Sequence, residues 1–217
     1  MTSLNPPETR MSQPTRFWDR HAEGYSKRPI SDEESYQQKL KVTRDYFRPD
    51  MKVLEFGCGT GSTAIAHAPY VKQILANDIS AKMLEIAQGK ADAGGVKNVT
   101  FRQAAIDDFS PDDESFDAVM GHSILHLVED RDAVIAKVHK MLKPSGVFIS
   151  STVCLGDKMK WFKFIGPIGK FLGLMPMVRV FTTQELVDSM NGAGFEIDHQ
   201  WKPEKGVSVF IVAKKAG

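Results

Sequence analysis

Val53-Leu54-Glu55-Phe56-Gly57-Cys58-Gly59-Thr60-Gly61 decides how this chain reads. An apolar run ends in a carboxylate, and three alternating glycines follow it. The run reads as a buried strand and the glycines as a ligand-binding turn. Glycine permits positive φ and lets a ligand approach the backbone without meeting a Cβ, while the helix that follows offers unpaired N–H groups. A dinucleotide fingerprint has the spacing G-x-G-x-x-G and seats its pyrophosphate on the helix N-terminus. Here the third glycine comes one residue early. Glu55 would also repel a pyrophosphate, whereas it can accept from an ammonium. The pattern therefore predicts a cofactor with a cationic amino-acid end.

The 217 residues suit one domain whose core needs neither a disulfide nor a structural metal. Lys and Arg total 28 against 27 for Asp and Glu, so no general attraction to nucleic acid or to anionic membranes is expected. Cys58 and Cys154 are far apart and lack metal-ligand spacing, which predicts free thiols, no metal site and a reducing, cytoplasmic setting. Residues 1–15, rich in Pro, Ser and Thr, have no apolar signal region and read as a disordered lead-in. The long apolar stretch from Met159 to Val180 is broken by glycines and prolines and carries four basic residues, which argues against a membrane-spanning helix.

Strand-like and helix-like segments alternate from Met51 to Thr152, the pattern of a parallel sheet covered by helices. Strands are expected at Met51–Phe56, Gln73–Asn77, Asn98–Gln103, Phe116–Gly121 and Val147–Val153. Helices are expected at Ser62–Ala68, at Ala81–Ala93 behind a Ser80 cap, and from Asp130 to Leu142, stopped by Lys143-Pro144-Ser145-Gly146. Thr182-Thr183-Gln184-Glu185 reads as a helix cap. The strands Phe195–Trp201 and Val207–Ala213 are joined too tightly for a parallel crossover. The fold class is therefore α/β, with a seven-stranded, mostly parallel sheet, helices on both faces and a C-terminal antiparallel hairpin.

With these elements placed, Glu55 to Gly61 resembles the acidic-x-G-x-G-x-G first motif of the class I S-adenosylmethionine (SAM) methyltransferases. The likeness is to the small-molecule type, in the broad ubiquinone/menaquinone-biosynthesis-like group, and it runs from Phe17 to Lys215. It implies a Rossmann-like fold, SAM as cofactor and S-adenosylhomocysteine as product. Glu55, Gly57, Cys58, Gly59, Thr60 and Gly61 would bind the methionine end. Asp78, 21 residues after Gly57 at a strand end, would receive the ribose hydroxyls. Ile79 would pack on the adenine, and Met83 is read as core. The segment Gln103-Ala104-Ala105-Ile106-Asp107-Asp108 departs from the family's Gly-Asp-Ala pattern. Ala105 replaces the usual adenine-facing aspartate, leaving Asp107 and the Ile106 N–H as candidates beside the alternative of a solvated acidic loop. Phe17-Trp18-Asp19-Arg20-His21-Ala22-Glu23-Gly24-Tyr25 is similar to the W-D-x-x-A-x-x-Y entry segment. That similarity implies Trp18 and Tyr25 over the cofactor, facing its sulfonium; an ordinary amphipathic covering helix is the alternative.

Ligands of open α/β sheets bind beyond the strand C-termini, which puts Met120-Gly121-His122-Ser123 at the site. His122, His126 and Tyr25 are the catalytic candidates, His122 also bordering the cofactor; a structural histidine is the competing reading of His126. Gly121-His122-Ser123-Ile124 stands where nucleic-acid amino-methyltransferases carry a Pro-Pro-aromatic signature, so a small-molecule acceptor is expected and nucleic acid is not. Residues 157–180 carry four lysines and one arginine against one aspartate among apolar residues. They suggest a lid over a hydrophobic or lipid-like acceptor, or a patch for peripheral membrane contact, against the alternative of a plain covering helix. One domain, 16–217, is expected, with a helical cap over 16–48. The expected reaction is in-line methyl transfer. Its rivals are an NAD(P)-dependent oxidoreductase, which lacks its glycine spacing and a Tyr-x-x-x-Lys pair here, and a non-catalytic SAM-binding module.

Overall fold

Lys52–Phe56 is buried at every position after the first, as a strand must be when it has neighbours on both edges and helices on both faces. This is β1 of the computed structural model, which describes residues 13–159, 178–204 and 207–217. Around it lie β2 (Gln73–Asp78), β3 (Val99–Gln103), β4 (Phe116–His122), β5 (Leu142–Val153), β6 (Phe195–Trp201) and β7 (Ser208–Lys215). They form one seven-stranded sheet in the order β3-β2-β1-β4-β5-β7-β6. Neighbours from β3 through β5 are parallel, and β7 is antiparallel to both β5 and β6. This is the α/β architecture with a terminal antiparallel hairpin that the sequence predicts. The order reverses between β1 and β4, so a crevice opens where their C-terminal ends diverge.

Six helices are described: α1 (Gln13–Ser26), α2 (Glu33–Asp45), α3 (Ser62–His67), α4 (Ala81–Ala93), α5 (Arg131–Met141) and α6 (Thr183–Gly192). Side-chain caps start most of them. The Asp32, Ser80 and Asp130 side chains accept from Ser35, Met83 and Ala133 N–H, and Thr182 with Glu185 forms a complete capping box. Leu54, Phe56, Val119 and Phe148 face α5 and α6 in one core. Val53, Ala76, Ala118, Met120 and Ile149 face α2, α3 and α4 in the other. Strand alternation therefore puts Glu55, His122 and Ser151 on the face covered by α2, α3 and α4.

Two boundaries differ most from the sequence reading. Helix α1 begins at Gln13, so residues 13–15 are helical, while the rest of the expected lead-in lies outside the described residues. Strand β5 begins at Leu142 instead of Val147: Leu142 pairs with Phe116, and a register shift, with Ser145 at φ 60°, precedes the Ala118–Val147 pair. The Lys143-Pro144-Ser145-Gly146 stretch thus stops the helix by bulging a strand. Residues 160–177 of the expected insert also lie outside the described residues. Among the described residues no helix is long and apolar enough to cross a membrane.

Candidate functional site

The turn after β1 holds Gly57, Gly59 and Gly61 at φ 65°, 52° and 73°. A Cβ on Gly57 would lie 2.7 Å from Ile124 Cγ1, so that position is closed by the turn after β4. At Gly59 a Cβ would meet only Tyr25 Cε1, at 3.8 Å. The backbone there is open on the side where a ligand would approach. Cys58 and Thr60 are buried and shape the turn from behind: Cys58 N–H donates to Asn77 O at 2.9 Å, and Thr60 Oγ1 accepts from the Lys90 ammonium at 2.8 Å. Burial, followed by the charges of Glu55 and Asp78, pushes the Cys58 thiol well above its usual range, so it is no nucleophile.

Glu55 closes β1 at 2% exposure. Burial first, and Asp78 after it, push its carboxyl up to about 8, against a backbone hydrogen bond at Ala64 that holds it down. Its Oε2 is sealed from solvent with no partner among the described residues. A buried carboxyl oxygen without a donor is costly, and a cationic ligand would relieve that cost. Asp78 ends β2 with both oxygens oriented: Oδ2 accepts from Gly59 N–H and Oδ1 from Ser80 N–H, each at 2.9 Å. Burial raises its pKa, while the N–H groups of Ser80, Gly59 and Ile79 oppose that rise. Each oxygen keeps a lone pair for a hydroxyl donor.

Helix α1 lies over this turn and is fastened by Asp19. Its Oδ1 accepts from Ser80 Oγ at 2.6 Å and from Lys82 N–H at 3.2 Å, so it joins Ser80 in capping α4. Ala22 is buried beneath the helix. Trp18 and Tyr25 meet edge to face at 6.3 Å, with Tyr25 beside Gly59. Tyr25 is 45% exposed, yet the phenol end is shielded enough that burial, then the Asp78 charge, raises its pKa.

At the far end of the crevice, Ile79 is half-buried and Met83 is buried. Gln103 Nε2 donates to Ile79 O at 3.0 Å, tying the ends of β2 and β3 together. Ile106 is buried within the core on the α5 side, and Asp107 is exposed. The carbonyls of both residues accept from the Lys137 ammonium, at 2.8 and 2.7 Å. The Lys137 clamp holds the backbone of this loop, and the Asp107 carboxylate stands toward solvent.

His122 and His126 do not share an environment. His126 is buried, and burial alone lowers it to about 4. His122 ends β4 with Nε2 sealed and without a partner among the described residues, lowered to about 4 by burial and then by the Lys39 charge. Both are neutral at physiological pH. A base whose conjugate acid is this acidic is poorly matched to removing a proton from a phenol or an ammonium. Sequence reasoning missed what faces His122 from the helices. His67 of α3 is fully buried with both ring nitrogens unpartnered among the described residues, and is lowered to about 3 by burial and then by His122 and Arg44. Burial raises the pKa of Tyr36 on α2, and Lys39 of the same helix is the charged group that lowers His122 after burial. The signal was present as Tyr36, Lys39 and Thr43, three polar residues on one face of α2 at helical spacing. Among the described residues no group of three His, Cys, Asp or Glu could hold a metal ion.

Comparison with known proteins bears on the family and the fold. Residues 47–190 match the family described as a methyltransferase domain. An uncharacterized methyltransferase of Bacillus subtilis, YcgJ, is 33% identical over 102 residues, covering 47% of this chain and 40% of YcgJ. The YcgJ crystal structure superposes with a TM-score of 0.69 at 19% identity, covering 83% of this chain and 99% of that one. The tRNA 5-carboxymethoxyuridine methyltransferase of Escherichia coli is 32% identical over 114 residues, 52% of this chain and 44% of that enzyme. The chain thus matches less than half the length of these two curated relatives. Demethylmenaquinone methyltransferase of Geobacillus stearothermophilus is 29% identical over 198 residues, 78% of this chain and 82% of that enzyme.

Proposed function

The chain belongs to the methyltransferase domain family, and on that premise we propose that it transfers a methyl group from SAM to a small acceptor. The carrying observation is the Oε2 of Glu55, sealed and without a partner among the described residues, beside an open glycine backbone. Glu55 would accept from the cofactor's α-ammonium, the donor its buried oxygen lacks. Asp78 would accept the two ribose hydroxyls on the lone pairs its backbone donors leave free. The turn from Gly57 to Gly61 would lie along the methionine portion, with Cys58 and Thr60 fixing its shape from inside. Tyr25 and Trp18 would cover the methionine end and exclude water. Ile79 and the Ile106–Asp107 loop would border the adenine.

When bound, SAM supplies a methyl group on a sulfonium that is already activated for displacement. The protein's own contribution is then alignment and exclusion of water. Orientation of this kind is worth on the order of 7–11 kcal/mol, so the transfer needs no strong base; the depressed pKa values of His122 and His126 accord with that. His122, at the switch point of the sheet, would border the acceptor. An acceptor with a substantial apolar body is favoured by the composition of residues 157–180 and by the name of the Geobacillus relative.

Titration calorimetry with SAM, S-adenosylhomocysteine and NADH tests the cofactor. SAM and its product are expected to bind; NADH binding without SAM binding would replace this reading with the oxidoreductase one. A methyl-transfer assay over small apolar acceptors and bulk tRNA tests the acceptor. Transfer to tRNA alone overturns the small-molecule reading, and SAM binding with no turnover on any acceptor points to a non-catalytic module.

A further inference from the structure

Helix α4 meets the glycine turn a second time, well beyond its Ser80 cap. Gly61 lies so close to it that a Cβ there would stand 2.8 Å from Ala87 Cβ and 3.0 Å from the Phe101 ring. One helical turn after Ala87, on the same face, Lys90 sends its ammonium to both flanks of that glycine. It donates to Thr60 Oγ1 at 2.8 Å and to Ser62 Oγ at 3.2 Å. Among the described residues no carboxylate lies within ion-pair distance of it, and burial lowers its pKa. A half-buried ammonium held by neutral hydroxyls gives up hydration without gaining an ion pair, so the contact adds little stability by itself. What it does fix is orientation. Each hydroxyl oxygen accepts from the ammonium, which turns each hydroxyl proton away from Lys90 and ties both sides of Gly61 to one point on α4.

We propose that Lys90 is a positioning residue for the cofactor, acting through Thr60 and Ser62 to set the far end of the glycine turn for the ligand's amino-acid end. The inference deepens the SAM reading and rests on it. The near end of the turn is held by Asp78, which takes the Gly59 N–H and keeps lone pairs for the ligand itself. Lys90 holds the far end through side-chain hydroxyls alone. Three glycines at positive φ leave this backbone free to adopt other conformations once it is released. A ligand would then have to order the turn as it binds, and its affinity would fall by that cost. The loss belongs to the part of the ligand that lies along the turn, and the adenosine part escapes it.

The test titrates the full chain with two probes by calorimetry: S-adenosylhomocysteine, and 5′-methylthioadenosine, which keeps the adenosine and the sulfur but lacks the amino-acid end. Lys90→Met is expected to weaken S-adenosylhomocysteine at least about tenfold while 5′-methylthioadenosine changes less than about twofold. Lys90→Arg, whose planar fork offers two donors, should recover most of the loss. Hydrogen exchange of the free protein gives a readout without ligand: in Lys90→Met the amides of Gly59 to Ser62 should quicken while those of β1 do not. Unchanged S-adenosylhomocysteine affinity, equal losses on both probes, no recovery with Lys90→Arg, or unchanged exchange in the turn each overturn the proposal. A wild type that binds no S-adenosylhomocysteine is read separately, as failure of the cofactor reading, and takes this proposal with it. Should Lys90→Met not fold, Lys90→Gln takes its place in every comparison.

Discussion

At the scale of the residue, Glu55 makes the most specific demand. Its carboxyl titrates near 8 in the free protein, so at neutral pH it holds a proton that a bound ammonium would expel. Affinity for S-adenosylhomocysteine should therefore rise with pH between about 6 and about 7.5 with release of a proton, measurable by calorimetry in buffers of different ionisation enthalpy. Glu55→Gln should flatten that dependence; a slope unchanged in the variant would dissociate Glu55 from the ligand. Asp78→Ala removes the acceptor of Gly59 and Ser80 N–H as well as the proposed ribose contact. A loss of about 1–3 kcal/mol in cofactor binding is expected, and unchanged affinity in the folded variant would remove Asp78 from the site. Both residues were legible in the sequence because strand, turn and spacing are local signals. His67 was not, because nothing local reveals that packing of α3 buries both its ring nitrogens without a partner among the described residues.

At the scale of the element, α1 is held to α4 by one carboxylate. Asp19→Ala removes the acceptor of Ser80 Oγ and Lys82 N–H and should cost about 0.5–2 kcal/mol, the usual range for a lost cap. Hydrogen exchange should quicken in α1 and in the first turn of α4 before it changes in β1; uniform acceleration across the sheet would contradict a local fastening. The starts of α4 and α6 were readable from their Ser80 and Thr182 caps. Strand β5 was not, since its first residues look like a helix stop and become strand only by pairing with β4 through a bulge. Cross-strand pairing is a non-local event, and the single sequence carries no direct record of it.

At the scale of the whole molecule, the buried titrating groups bend the stability curve in opposite directions. His67, His122 and His126 sit at about 3 to 4 in the fold, below the value near 6.5 of an unfolded chain. Their contribution is present above about 6.5 and is lost as pH falls through the folded values. Glu55 is raised, so its contribution is present below about 4.5 and is lost as pH rises through about 8. Urea unfolding of the free protein should show a stability maximum near pH 6.5, and Glu55→Gln should flatten the alkaline limb alone. The order of the sheet has a kinetic side as well. Strand β7 lies between β5 and β6 and has buried residues along its middle, yet it follows both in the sequence. Until it is synthesised, the long apolar edge of β5 has no partner, and β6 has no strand of its own sheet beside it. A nascent chain stalled before Ser208 would therefore display an open, sticky strand edge, making this interval of synthesis the one in which chaperone protection matters most.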